Sequence, residues 1–169
     1  MNYTIRQIAE ITNSKIIGDD SQLIKNIAFD SRIIYSTKAT AFIAINTQKN
    51  SGEKFIESAI NKGISVIISE KEYPQYKNIT WIIVENSIQF LQKLAKTHFQ
   101  NSHLKTIGIT GSNGKTILKE WLYQSLWNEF DVVKSPKSFN SQIGLPLSLL
   151  QINDKNDLGI FEVSPSDGT

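Results

Sequence analysis

One stretch limits the possible folds more than any other. In ITGSNGKT, residues 109–116, an apolar strand (Thr106–Ile109) runs into a turn with two glycines, and Lys-Thr opens an amphipathic helix, Lys115–Trp127. Gly111 and Gly114 permit a tight turn that brings backbone N–H groups together. The helix N-terminus adds unpaired donors and positive dipole charge. Such a corner suits a polyphosphate, with Lys115 in reach of the β and γ oxygens and the Thr116 hydroxyl able to join the shell of Mg2+. The strict pattern G-x-x-x-x-G-K-[ST] wants Gly at 109, where this chain has Ile109, flanked by Gly108 and Gly111. A plain strand–turn–helix corner with a solvated lysine competes with nucleotide binding. The strand and helix context favours ATP on Thr110, Gly111, Ser112, Asn113, Gly114, Lys115 and Thr116.

The rest of the chain alternates short strands and helices. A helix is expected over 4–12, capped by Thr4, then strands at 15–17, 27–29, 41–45, 66–68 and 81–84, with helices at 53–62 and 88–99. Gly63 sits where a helix-terminating residue belongs. After the polar Gln100-Asn101-Ser102-His103 come strands at 106–109, 131–133 and 158–163 and helices at 115–127 and 141–150. This rhythm predicts an α/β fold with parallel sheets. It divides into a small α/β domain, 1–103, and the start of a second parallel-sheet domain, 104–169, which looks cut short after a strand end. Trp81, Trp121 and Trp127 lie on apolar faces and are expected in the core. Asp19-Asp20 suits a turn. His98, at a helix end, is expected as a cation complementing the dipole, with His103 in the linker.

Composition removes several classes of function. The chain has 169 residues with 18 basic and 16 acidic groups and no cysteine, which excludes disulfides, a thiolate nucleophile and Cys-based metal sites. Without a Lys/Arg run, no nucleic-acid partner is expected. No apolar run reaches the roughly 18 residues of a membrane span, and MNYTIRQIAE is too polar for a secretion signal. A soluble cytoplasmic protein is predicted.

TIGITGSNGKT resembles the ATP loop of the Mur ligases, which add amino acids to the peptidoglycan precursor. KSPKSFNSQIGLPLSLL, Lys134–Leu150, resembles the family's second signature, an Asn followed by I-G-x-P. LGIFEVS, Leu158–Ser164, is similar to the strand that carries a magnesium-binding glutamate, here Glu162. FDSR (Phe29–Arg32), AFIAI and GEKFIESAINKG resemble the domain that holds the UDP-sugar. Ser51-Gly52-Glu53 stands where the family has D-G-H, and VSPSDGT departs from the usual continuation after the glutamate.

The resemblance implies an ATP-dependent ligase that activates a carboxylate as an acyl phosphate for attack by an amine. Lys115 and Asn140 would be the catalytic residues, Thr116 and Glu162 the metal ligands, and Ser31 and Arg32 the UDP-sugar contacts; Arg32 equally fits a surface ion pair, and Asp30 a loop brace. NGKTILKEWLY and KSPKSFNSQIGLPLS are similar to members that join D-alanyl-D-alanine to UDP-N-acetylmuramoyl-tripeptide, in a form fused to an alanine racemase. Pyridoxal phosphate would belong only to that racemase part, absent here. The chain would then be an N-terminal fragment, inactive alone. The alternatives are a non-catalytic UDP-sugar-binding module, another Mur-type amide ligase and a stand-alone phosphotransferase.

Overall fold

The structure, a computed structural model, describes residues 1–137, 139 and 141–164. Two compact units make up the chain, Met1–Leu94 and Ala95–Thr169.

In the first unit β1 (Tyr3–Thr4) leads into α1 (Ile5–Thr12). Thr4 caps this helix as its sequence predicts. The Gln7 N–H donates to Thr4 Oγ1 at 3.2 Å while the Thr4 N–H donates to Gln7 Oε1 at 2.9 Å, a reciprocal box that satisfies two otherwise orphaned donors. There follow β2 (Lys15–Ile17), β3 (Leu23–Ile24), β4 (Asn26–Ala28), β5 (Thr40–Ile43), β6 (Asn46–Thr47), β7 (Asn50–Ser51) and α2 (Ile56–Asn61). β8 (Val66–Ser69), β9 (Thr80–Ile83) and α3 (Ser87–Asn101) complete the series, and the division between units falls within α3.

One sheet runs in the order β2-β9-β8-β5-β4. Its members pair in parallel except for β2, which lies antiparallel to β9. The central strands Thr40–Ile43 and Val66–Ser69 are buried throughout, as strands covered on both faces must be, and are apolar but for Thr40 and Ser69 at their ends. Phe42, Ala44, Ile56, Ala59, Ile64, Ile67 and Trp81 form the core. The helix expected over 53–62 is shorter, because Gly52–Phe55 is a 3-10 turn and regular helix begins only at Ile56. The two-residue pairs β1–β3 and β6–β7 leave no apolar period in the sequence and were not expected from it.

Gly52 owes its place to space. A β-carbon there would lie 2.5 Å from Ile45 N and 2.8 Å from Ala44 C, inside the backbone where β5 ends. The Gly52 N–H donates to the Ile45 carbonyl at 2.9 Å, so the approach is itself bonded. Nearby, Ser87 N–H and Oγ each donate to Glu70 Oε1 at 2.9 Å, and Asn46 Nδ2 donates to Glu70 Oε2 at 2.9 Å. Burial pushes the Glu70 carboxyl up, but the bonds from Asn46 and Ser87 outweigh it and hold the group below its ordinary value.

The second unit carries β10 (Lys105–Ile109), α4 (Lys115–Leu126), β11 (Val132–Lys134), α5 (Gly144–Leu149) and β12 (Leu158–Glu162). Its three strands are parallel in the order β10-β12-β11. Val133, Ile152 and Phe161 form a core with Phe99, Leu104, Leu145 and Leu149 against it. The helix expected from 141 starts at Gly144, which leaves Pro146 in the first turn, where a missing N–H costs no helical bond.

The structure corrects two expectations. Trp121 and Trp127 are not core residues, being 65% and 55% exposed, whereas Trp81 is buried. Thr116, Lys119, Glu120 and Tyr123 fall instead on the helical stripe less exposed than Ile117, Leu118 and Trp121, since positions three and four apart share a face. His98 is not poised as a cation either. Burial lowers its pKa more than the contact between its Nε2 and the Ile152 carbonyl at 2.9 Å raises it.

Two outcomes follow from these contacts. Gly52→Ala is expected to destabilise the protein by about 1–3 kcal/mol through overpacking, read as a lower urea midpoint. A histidine whose folded pKa is depressed binds fewer protons folded than unfolded, so its contribution is full above its ordinary value and is lost as pH falls towards the folded value. Between about pH 7 and 5, urea midpoints of the native protein should therefore fall more steeply than those of His98→Gln.

Candidate functional site

The parallel pairing of β10 with β12 places Ile109 opposite Glu162. Both strands therefore end at one edge of the sheet, the edge at which open α/β sheets hold ligands. From Ile109 the chain enters the glycine turn. Gly111 has φ +143° and Gly114, the N-cap of α4, has φ +78°, conformations costly to any residue with a β-carbon. No neighbour crowds these two glycines: a β-carbon at Gly114 would meet nothing within 4 Å. Their purpose is thus backbone shape. Thr110, Ser112, Asn113 and both glycines are exposed, and Lys115 Nζ donates back to the Gly111 carbonyl across the turn.

Glu162 closes the site from β12. It is 0% exposed, which no carboxylate tolerates without partners. Thr116 Oγ1 donates to its Oε2 at 3.2 Å, and Lys119 Nζ lies 2.8 Å from its Oε1. Oε1 accepts no aligned hydrogen bond among the described residues, so its partner is the ammonium charge alone. The Glu162 N–H donates to Ser135 Oγ at 3.2 Å, which anchors the strand end. Lys119, itself 0% exposed, also donates to the Lys137 carbonyl. Around the rim Lys134 pairs with Glu120, whose carboxyl it holds below the ordinary range, and stands 3.8 Å over the Tyr123 ring.

Several sequence candidates thus meet here: the loop residues 110–116 and Glu162. Asn140 lies outside the described residues. Ser31 and Arg32 lie in the first unit, on a 3-10 turn, Ser31–Ile33, capped by Asp30. Ser31 is buried and its carbonyl accepts from Lys62 Nζ at 2.6 Å. Arg32 is exposed and grips Asp30, with Nη2–Oδ2 at 2.8 Å and Nε–Oδ1 at 3.0 Å. That ion pair, which the sequence left open, holds the Asp30 carboxyl below its ordinary value. Sequence reasoning missed Lys119 and Ser135. The signal for Lys119 was its spacing, three residues past Thr116 and four past Lys115, which puts all three on one helical face.

Chemically, the arrangement offers a turn of backbone donors, the Lys115 ammonium and two oxygen donors, Thr116 Oγ1 and Glu162 Oε2. Hard oxygen donors of that kind fit a magnesium ion completed by phosphate oxygens and water. Among the described residues no group of three His, Cys, Asp or Glu gathers into an all-protein metal cage, so an ion here would depend on the nucleotide for the rest of its shell.

Comparison with known proteins agrees with this geometry. Residues 109–168 match the Mur ligase middle domain. The UDP-N-acetylmuramoyl-tripeptide--D-alanyl-D-alanine ligase of Bacillus subtilis is 29% identical over 96% of this chain and 36% of the relative. That of Borreliella burgdorferi is 31% identical over 90% of this chain and 36% of the relative. Among solved structures, MurF from Acinetobacter baumannii superposes with a TM-score of 0.84 at 26% identity, over 98% of this chain and 36% of that one. MurF from Thermotoga maritima, solved in complex with ADP, gives 0.67 at 31% identity, over 84% and 32%. The chain spans about a third of the length of these relatives. Residues 109–168, with the glycine turn and the strand-end glutamate, thus match the Mur ligase middle domain, and the chain is similar to these ligases over nearly its whole length.

Proposed function

We propose that the protein carrying these residues is an ATP-dependent ligase joining D-alanyl-D-alanine to UDP-N-acetylmuramoyl-tripeptide in the cytoplasm. One observation carries this reading above others: the Lys115–Thr116 corner at the end of β10 faces a buried glutamate at the end of β12, with Thr116 Oγ1 and Glu162 Oε2 3.2 Å apart. Relatives bearing that ligase name match across nearly the whole chain, which supports the choice of substrates. Support for ATP comes from the ADP in the Thermotoga maritima structure. For the membrane question, among the described residues no helix is long and apolar enough to cross one.

In this reading the backbone donors of residues 110–114 and the N-terminus of α4 bind the polyphosphate. The Lys115 ammonium leaves the Gly111 carbonyl for the γ-phosphate, where it offsets charge as the phosphoryl group moves to the substrate carboxylate. Thr116 and Glu162 would hold Mg2+, which when bound neutralises phosphate charge. Asn140 would stand near the acyl phosphate that the D-alanyl-D-alanine amine attacks. Positioning does most of the work, since little covalent chemistry falls to the protein. Domains are proposed at 1–103 for the UDP-sugar, with Ser31 and Arg32 as its contacts, and at 104–169 for the first part of the ATP domain. The resemblance of NGKTILKEWLY and KSPKSFNSQIGLPLS supports, by itself, a fused alanine racemase using pyridoxal phosphate.

The test is Lys115→Ala in the parent enzyme, followed by phosphate release with ATP, UDP-N-acetylmuramoyl-tripeptide and D-alanyl-D-alanine. Turnover should fall by about 100-fold or more, the loss typical when one transition-state charge partner is removed. Undiminished, ATP-dependent turnover would overturn the proposal.

A further inference from the structure

Lys119 is a fully buried lysine on a helix whose neighbouring apolar side chains, Ile117, Leu118 and Trp121, face solvent. Placing an ammonium inside while leaving a tryptophan outside reverses the ordinary preference, and it is stable only if the ammonium is fully partnered. Its partners are specific. Nζ is 2.8 Å from Glu162 Oε1 and 3.5 Å from Glu120 Oε1, and it donates to the Lys137 carbonyl. Glu120 is itself drawn to Lys134 at the rim, so Glu162 is the charge that Lys119 chiefly answers.

The consequence lies in how the two oxygens of Glu162 are divided. Oε1 faces the ammonium; Oε2 faces Thr116 Oγ1. Resting on the reading that Thr116 and Glu162 hold a divalent ion beside the nucleotide, we infer that Lys119 is a positioning residue that leaves Glu162 one oxygen for the ion and so favours magnesium over calcium.

The physical reason is the difference between the two ions. Magnesium takes a compact octahedron with ligands at about 2.0–2.1 Å and keeps several waters, so one carboxylate oxygen suits it. Calcium accepts six to eight oxygens at about 2.3–2.6 Å and often takes both oxygens of a carboxylate. A carboxylate with one oxygen facing a fixed ammonium denies calcium that second contact. The ammonium also cancels the single negative charge of Glu162, so the protein alone offers a bare cation little attraction. The ion is expected to arrive with the polyphosphate, which supplies the missing charge.

Divalent-ion titrations of the purified protein and of Lys119→Met test this, first with MgCl2, CaCl2 or MnCl2 alone and then with ADP present. Calorimetry follows Mg2+ and Ca2+, and electron paramagnetic resonance follows free Mn2+. The native protein should bind ADP at least about 10-fold better with Mg2+ than with Ca2+, and Lys119→Met should reduce that ratio to about 2-fold or less. The variant should also bind Mn2+ without nucleotide at least about 5-fold more tightly, because Glu162 regains its full charge. A folded variant, judged by circular dichroism, that keeps the native Mg2+/Ca2+ ratio and the native Mn2+ affinity would overturn the inference while leaving the nucleotide site intact.

Where Lys119→Met does not fold, Lys119→Gln takes its place. The amide can donate to Oε1 without charge, so Mn2+ affinity should rise while the Mg2+ preference is kept; unchanged Mn2+ affinity counts against the inference. Native ADP binding that ignores divalent ions altogether would instead remove the metal reading beneath it, and the inference with it.

Discussion

Parallel pairing of β10 with β12 is the constraint on which the site depends. Ile109 is brought opposite Glu162 across a span of chain that includes α4, β11 and α5. A parallel pair cannot be joined by a tight turn; it needs a crossover, and here the crossover contains the helix that begins at the glycine turn. One topological requirement therefore sets the loop at the end of β10, the donors at the start of α4 and the carboxylate at the end of β12 on the same edge. Moving the register by one residue would turn Glu162 to the other face of the sheet.

The price of that arrangement is a charged interior. Thr116 and Lys119 take positions on α4 where a purely structural helix would carry leucine or isoleucine, while Ile117, Leu118 and Trp121 are left exposed. A buried ion pair such as Lys119–Glu162 seldom adds stability over a well-packed apolar pair, because both charges lose their water. Its presence points to work done at the site. The apolar packing of the unit lies elsewhere, around Val133, Ile152 and Phe161, so the buried ion pair and the apolar core are carried by separate residues.

The first unit shows the contrasting case. There the central strands are buried throughout and polar atoms gather where strands end, as in the bonds joining Asn46, Glu70 and Ser87. Ser31 and Arg32 stand on a turn braced by Asp30 and Lys62. Arg32 braces this turn through a two-point grip on Asp30, the geometry in which a guanidinium holds paired carboxylate oxygens.

Much of this was legible from the amino acids alone, and for local reasons. The alternation of strands and helices, the Thr4 cap and the glycine–lysine–threonine corner depend on neighbours only a few residues apart, so the chain itself specifies them. Glu162 was found because it follows an apolar strand and resembles a known pattern. What required the tertiary structure was everything decided across distance. Whether Trp121 or Lys119 faces the interior depends on what β12 presents there, and a helical period cannot reveal it when both faces carry large side chains. The lowered pKa of His98 comes from a burial that outweighs its contact with the carbonyl of Ile152, far along the chain. Local propensity chose the elements; which charges share an interior was settled only when distant strands met, because the cost of burying a charge depends on the partner it finds.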